Sequence, residues 1–130
     1  MHHTILLVDD SSTTLLMEQM LFAKYTKYNL ILARDGREAV QKALAEEPDL
    51  ILMDVIMPNM DGFSACREMR KIQRLKRVPI ILVTSRGEPD NVETGFASGC
   101  NDYLTKPIDG RELLEMVSAY LESGGGGSKS

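Results

Sequence analysis

The sequence predicts an α/β domain: a five-stranded parallel sheet with helices on both faces, a (βα)5 pattern. Two observations carry that expectation. Five short apolar runs alternate with five stretches of helical periodicity along the 130 residues. The odd polar residues of those runs, Asp9, Asp10, Asp54, Thr84 and Lys106, all fall at their C-terminal ends. In a parallel sheet the strand C-termini share one edge, so these five side chains are expected to converge there. The crossovers between successive strands are expected to be right-handed.

Taken in order, Thr4–Val8 reads as a buried strand that Asp9-Asp10 ends. Ser11 or Ser12 caps a first helix, with Leu15, Leu16, Gln19, Met20 and Ala23 at helical spacing. Asn29–Ala33 is a second strand, less apolar in its flanks and so expected at an edge. Asp35 and Glu38 have capping-box spacing, and Ala39, Val40, Ala43 and Leu44 form the apolar stripe of the helix they open. Residues 50–55 hold five apolar residues and one acid, Asp54, and read as the central strand, which Pro58 soon stops. After Asp61-Gly62, a third helix carries Phe63, Cys66, Met69 and Ile72 on one face. Residues 71–77 form a basic, solvated loop. Residues 78–83 make the fourth strand, with Pro79 at its start, where proline is tolerated. Residues 88–97 give a helix with few apolar residues, expected to be the most mobile, and Gly99 stops it. Asp102–Thr105 is the short fifth strand. Asp109 and Glu112 repeat the capping spacing before a helix faced by Leu113, Leu114, Val117 and Leu121. The domain is expected over residues 1–122. Residues 123–130 form a Gly/Ser tail of the kind used as an artificial linker, or a natural hinge to a further domain.

Composition narrows the function classes. Hydrophobic residues make up 43% and charged residues 26%, a globular balance for one domain with one core. The net charge of -4 argues against direct nucleic-acid binding. Cys66 and Cys100 belong to no CxxC and no Cys/His cluster, so zinc and redox readings find no support. Both are expected as small core residues in a reducing, cytoplasmic setting. The apolar run 5–8 is too short for a signal peptide, and no stretch approaches the length of a membrane span. The 8 Met are expected at packing positions, and His2 and His3 as frayed terminal residues.

A carboxylate at the end of a buried strand is costly unless it is paired, binds a metal or faces a cleft. Capping of the next turn is the plainer role for Asp54. Three carboxylates at one point cannot all stay ionised without a cation, and oxygen-only ligands favour Mg²⁺. A lysine ammonium and a threonine hydroxyl then remain to meet an anionic group, and a phosphoryl group fits. Mg²⁺ and Lys106 would balance its charge, Thr84 would donate a hydrogen bond, and Asp54 would be the nucleophile. The loop after Asp54 is able to curl round the site, so the backbone carbonyl of Ile56 is a further candidate metal ligand.

The strand-end pair Asp9-Asp10, Asp54 followed by MPNMDG, Thr84-Ser85, and Tyr103-Leu104-Thr105-Lys106-Pro107 together resemble the receiver domain of bacterial response regulators, of the single-domain chemotaxis kind. The resemblance runs from about Thr4 to Leu121. It implies the flavodoxin-like strand order 2-1-3-4-5. It implies Mg²⁺ as cofactor, held by Asp9, Asp10, Asp54 and the Ile56 carbonyl. Asp54 resembles the phosphoacceptor, Thr84 and Lys106 the phosphoryl-binding pair, and Tyr103 the switch aromatic that acts with Thr84. The implied donor is a sensor histidine kinase or a histidine phosphotransfer protein. The implied output is a protein or domain docking on the face of residues 88–121. The chain is expected as a monomer, or a dimer formed on phosphorylation, without nucleic acid or membrane partners. Its chemistry would be limited to its own phosphorylation and dephosphorylation.

Other classes fit less well. An aspartyl-phosphate phosphatase would want a second acid two residues after Asp54, where Ile56 stands. A flavin or nucleotide carrier would want a glycine-rich loop after the first strand, where Asp9-Asp10-Ser11-Ser12 stands. A receiver reduced to an interaction module would have lost part of the acid, lysine and threonine set, and all of it is present.

Overall fold

The computed structural model describes residues 2–85 and 90–124. Five strands form one parallel sheet: β1 (Thr4–Val8), β2 (Asn29–Ala33), β3 (Leu50–Asp54), β4 (Ile80–Thr84) and β5 (Asp102–Thr105), in the order β2-β1-β3-β4-β5. All four pairings are parallel. The helices are α1 (Ser12–Tyr25), α2 (Gly36–Glu46), α3 (Gly62–Arg70), α4 (Asp90–Ser98) and α5 (Gly110–Ser118), the last continuing as a wider turn over Ala119–Gly124. The first two residues of the expected fourth helix, Glu88 and Pro89, lie outside the described residues, as do residues 125–130 of the expected tail.

Alternation along the strands divides the core into two layers. Leu6, Val8, Ile51, Met53, Ile80 and Leu82 pack with Ala39 and Ala43 of α2 and Ala65, Cys66 and Met69 of α3. Ile5, Leu7, Leu50, Leu52, Ile81 and Val83 pack with Leu15 and Phe22 of α1 and Leu113 and Val117 of α5. Both cysteines are free and buried.

The helix starts follow local chemistry. Ser11 accepts from the Thr14 N–H, Asp35 from that of Glu38, Asp61 from that of Ser64, and Asp109 from those of Arg111 and Glu112. Glu38 does reach back, but to the N–H of Arg34, one residue before the cap. At the opposite edge from the strand C-termini, Arg70 closes three bonds of 2.8 Å, to the carbonyls of Gly99 and Leu75 and to Asn101 Oδ1. Asn101 Oδ1 also accepts from the Ile80 N–H. Lys71 and Arg74 of the basic loop pair with Glu68 and Glu47 at the surface.

The α1 stripe differs from the expectation. Leu15, Glu18 and Phe22 are the buried positions, while Leu16 and Met20 are 57% and 63% exposed, and Ala23 is exposed as well. This helix is apolar on two sides, and an acid in the core stripe hid the inward one. Met17 and Met20 accordingly lie at the surface, against the expectation of packing positions. His3 is not frayed: its carbonyl accepts from Asn29 N–H, and its ring meets Tyr28 edge-on at 6.2 Å.

The loop after β3 is bound at several points. Gly62 N–H donates to the Val55 carbonyl, Gly36 N–H to that of Met60, and Asn59 Nδ2 to Asp35 Oδ2. Asn59 takes the left-handed backbone conformation, φ 68°, which asparagine tolerates. Gly62 sits so close to β3 that a Cβ there would fall against the Asp54 carbonyl oxygen and 2.9 Å from Val55 Cα. Backbone on both sides leaves no flexible side chain to yield. Gly62→Ala should therefore lose about 1–3 kcal/mol of stability in urea unfolding; unchanged stability would mean the loop adapts freely.

Candidate functional site

The register of the sheet places the site. Val8 of β1 stands beside Met53 of β3, so the chain-next residues Asp9 and Asp54 lie side by side at the carboxyl edge. By alternation they follow Leu7 and Leu52, toward the α1–α5 layer. Asp9 is 2% exposed and Asp54 7%, while Asp10 is open to solvent. One carboxylate oxygen from each of the three lies within 4.8 Å of the others. Asp9 also caps locally, its Oδ1 accepting from the Ser11 N–H at 2.9 Å.

Lys106 reaches this cluster from the end of β5. Its Nζ stands 3.4 Å from Asp54 Oδ1 and 3.5 Å from Asp9 Oδ2. Its backbone N–H donates to the Thr84 carbonyl at 2.8 Å, which fixes the lysine to the end of β4. The Lys106–Pro107 peptide is cis. Thr84 is 4% exposed. Ile56 projects from the bound loop with 63% of its surface exposed, between the buried Val55 and Met57. Tyr103 lies on β5, half-buried beside Leu82, and its ring meets Phe96 of α4 edge-on at 6.0 Å and 87°. The pairs Leu82–Tyr103 and Thr84–Thr105 put Thr84 and Tyr103 on one face of the sheet, one pleat apart.

The electrostatics follow from crowding. Burial and the adjacent Asp9 carboxylate push the Asp54 pKa up to about 6, with Lys106 opposing. Burial alone would lower the Lys106 pKa, but the Asp54 and Asp9 carboxylates beside it raise it above the ordinary lysine value. A fourth acid, Glu18 of α1, stands within electrostatic reach of Asp9, Lys106 and Asp54. Its sequence neighbours mark it as a surface residue of an amphipathic helix; only the spacing Leu15–Glu18–Phe22 signals that it turns inward.

The donor set suits a divalent cation. It is all oxygen, two of its three carboxylates are enclosed, and a single lysine cannot fully neutralise them. What the arrangement offers chemically is a buried carboxylate nucleophile flanked by an ammonium, with a hydroxyl at the neighbouring strand end.

The profile of the response regulator receiver domain family matches residues 5–118. Protein PilH of Pseudomonas aeruginosa is 36% identical over 117 residues, covering 90% of this chain and 96% of PilH. Response regulator PleD of Caulobacter vibrioides is 41% identical over 115 residues, 87% of this chain but 25% of PleD. Among solved structures, chemotaxis response regulator CheY4 of Vibrio cholerae superposes with a TM-score of 0.84 at 32% identity, covering 91% of this chain and 98% of that one. The receiver domain of sensor histidine kinase PA1611 of Pseudomonas aeruginosa, solved with magnesium coordinated in its active-site cleft, gives 0.85 at 34% identity, with 92% and 98% covered.

A carboxyl whose folded pKa is raised from 3.8 to about 6 binds its proton more tightly in the folded than in the unfolded chain. Stability therefore falls as pH rises through that window and stays low above it. Asp54→Asn removes the effect. The variant should match the parent near pH 4 and exceed it at pH 7 by on the order of 1–2 kcal/mol in urea unfolding without added metal. Equal stability at both pH values would contradict the crowding argument.

Proposed function

Since the chain belongs to the family of response regulator receiver domains of two-component signalling, we propose that Asp54 is its phosphoryl acceptor. The donor is a phosphohistidine of a sensor histidine kinase or a histidine phosphotransfer protein, and Mg²⁺ is required. The observation that carries the reading is the enclosed Asp54 carboxylate with the Lys106 ammonium 3.4 Å away and Asp9 and Asp10 beside it.

In this reading an Asp54 carboxylate oxygen attacks phosphorus. The phosphorus–nitrogen bond of the phosphohistidine breaks, its electron pair returns to the imidazole, and that nitrogen takes up a proton. Near neutral pH Asp54 is mostly ionised and so competent to attack. Lys106 meets the phosphoryl oxygens with its ammonium, and the Thr84 hydroxyl donates to them. Mg²⁺, when held by Asp9, Asp10, Asp54 and the Ile56 carbonyl, would offset the negative charge of the acids and of the incoming group. Acetyl phosphate with Mg²⁺ should add one phosphoryl group by intact mass. Asp54→Asn should take up none, and Asp10→Asn or excess chelator should suppress uptake of the parent. Labelling that persists in Asp54→Asn would move the acceptor elsewhere.

The phosphoryl group adds charge and acceptor oxygens at the edge where Thr84 ends β4. Thr84 moves toward it, and Tyr103, one pleat away on the same face, turns into the space left. Phe96 rests on Tyr103, so α4 is the helix that this motion disturbs. The remodelled face of residues 88–121 is the docking surface for an output partner. Its first two residues lie outside the described ones. With the phosphoryl mimic beryllofluoride, amide signals of α4 and β5 should shift in the parent and shift little in Thr84→Ala. Equal shifts in both proteins would remove Thr84 from the coupling.

A further inference from the structure

The hydrogen bonds of the loop after β3 stop short of Ile56. Among the described residues, neither the N–H nor the carbonyl of Ile56 has a hydrogen-bond partner. On one side Val55 is fixed by its N–H to the Val83 carbonyl at 3.0 Å. On the other side the next side-chain tie is Asn59, whose Nδ2 donates to Asp35 Oδ2 at 2.7 Å. Between them only the Met57 side chain is buried, in the α2–α3 layer. An unpaired backbone carbonyl two residues from Asp54 is left to water or to a cation, and its position depends on the ties around it.

Asp35 belongs to the turn between β2 and α2, and that turn also touches the other loop of the site. Arg34 Nη2 donates to the Asp10 carbonyl at 3.2 Å, and the Arg34 N–H donates to Glu38 Oε1 at 2.7 Å. Asp35 Oδ1 accepts from the Glu38 N–H at 2.8 Å, so α2 holds the carboxylate while its second oxygen meets Asn59. These two bonds keep the Asp35 carboxyl below the usual carboxylate range, and the bond to Asn59 is charge-assisted. Gly36 N–H donates to the Met60 carbonyl at 2.9 Å, and a Cβ at Gly36 would fall against that same oxygen. Residues 34–36 thus brace the loop that carries Asp10 and the loop that carries Ile56.

A metal ligand is only as well placed as the groups that hold it from behind. Mg²⁺ tolerates little departure from octahedral geometry, so the placing of each ligand bears on affinity. We propose that Asn59 and Asp35 are positioning residues for the divalent cation, their hydrogen bond holding the loop so that the Ile56 carbonyl is in place to bind it. This rests on the reading of Asp9, Asp10, Asp54 and the Ile56 carbonyl as the Mg²⁺ ligands.

The test measures Mg²⁺ binding by isothermal titration calorimetry at constant ionic strength, with Tm followed in parallel. Asn59→Gly removes the side chain and keeps the left-handed backbone accessible. Its Kd for Mg²⁺ should rise at least threefold. Asp35→Asn sets one amide against another and should weaken binding likewise. Adding Asn59→Asp to Asp35→Asn restores a donor and an acceptor at unchanged net charge, so this swap should return Kd to within twofold of the parent. Asn59→Asp alone should not tighten binding; tightening as large as the rescue would make the rescue a charge effect and overturn the proposal. In acetyl phosphate labelling, the Mg²⁺ concentration at half-maximal rate should rise in Asn59→Gly by the same factor as Kd, while the rate at saturating Mg²⁺ changes less than twofold. An unchanged Kd in Asn59→Gly, or a swap that binds no better than Asp35→Asn, overturns the proposal whatever happens to Tm. A parent that binds no Mg²⁺, or undiminished binding by Asp10→Asn, would overturn the metal reading itself, and the positioning role with it.

Discussion

Everything at the carboxyl edge depends on two acids that the sheet forces together. Parallel pairing of β1 with β3 leaves Asp9 and Asp54 no freedom to separate, because each is the continuation of a buried strand. Lys106 arrives from β5, at the far side of β4, and reaches both at distances longer than a close ion pair. The balance is therefore partial. Asp54 stays a stronger base than an ordinary aspartate, yet still ionises near neutrality. A carboxylate more basic than usual is a better nucleophile, and a site short of positive charge is a better host for a cation. Both properties have the same origin, the register of two strands.

The two core layers divide the labour. The α1–α5 layer faces the acids and carries the exposed apolar side of α1. The α2–α3 layer lies beneath Thr84 and Tyr103, and α4 extends it through the Phe96 contact. The acids thus open toward one helical layer, while Thr84 and Tyr103 face the other. The strand ends lie between the two layers.

The sequence is a good guide where one physical rule dominates. Thr4–Val8, Asn29–Ala33 and Asp102–Thr105 have the expected bounds, and β2 is at an edge, because short apolar runs bounded by turn residues leave little choice. The third and fourth strands differ at their ends. Val55 still donates to the Val83 carbonyl, and Pro79, with no N–H to give, joins the ladder only through its carbonyl, to Ile51. The acids, threonine and lysine were legible because a polar side chain closing a buried strand is costly unless it meets a partner or a ligand there. The inward face of α1 was not legible: Leu15, Leu16 and Met17, then Met20, Leu21 and Phe22, give the helix two apolar sides, and only tertiary packing selects between them. The same ambiguity concealed Glu18. The contact of Phe96 with Tyr103 joins residues of different elements, and no local pattern encodes it.

The Arg70 clamp gives α4 a mechanical character. Arg70 grips Gly99 just past the last residue of α4, and its bond to Asn101 ties the same corner to the start of β4. One end of the helix is thus anchored, while the other begins toward the edge where the strands end. A helix of nine residues spans about 12 Å between its end residues. A rotation of about 10° about Gly99 would carry the far end through about 2 Å, yet shift Phe96, three residues from the pivot, by less than about 1 Å. Such a rotation would preserve the contact with Tyr103 while displacing the start of the helix several times further.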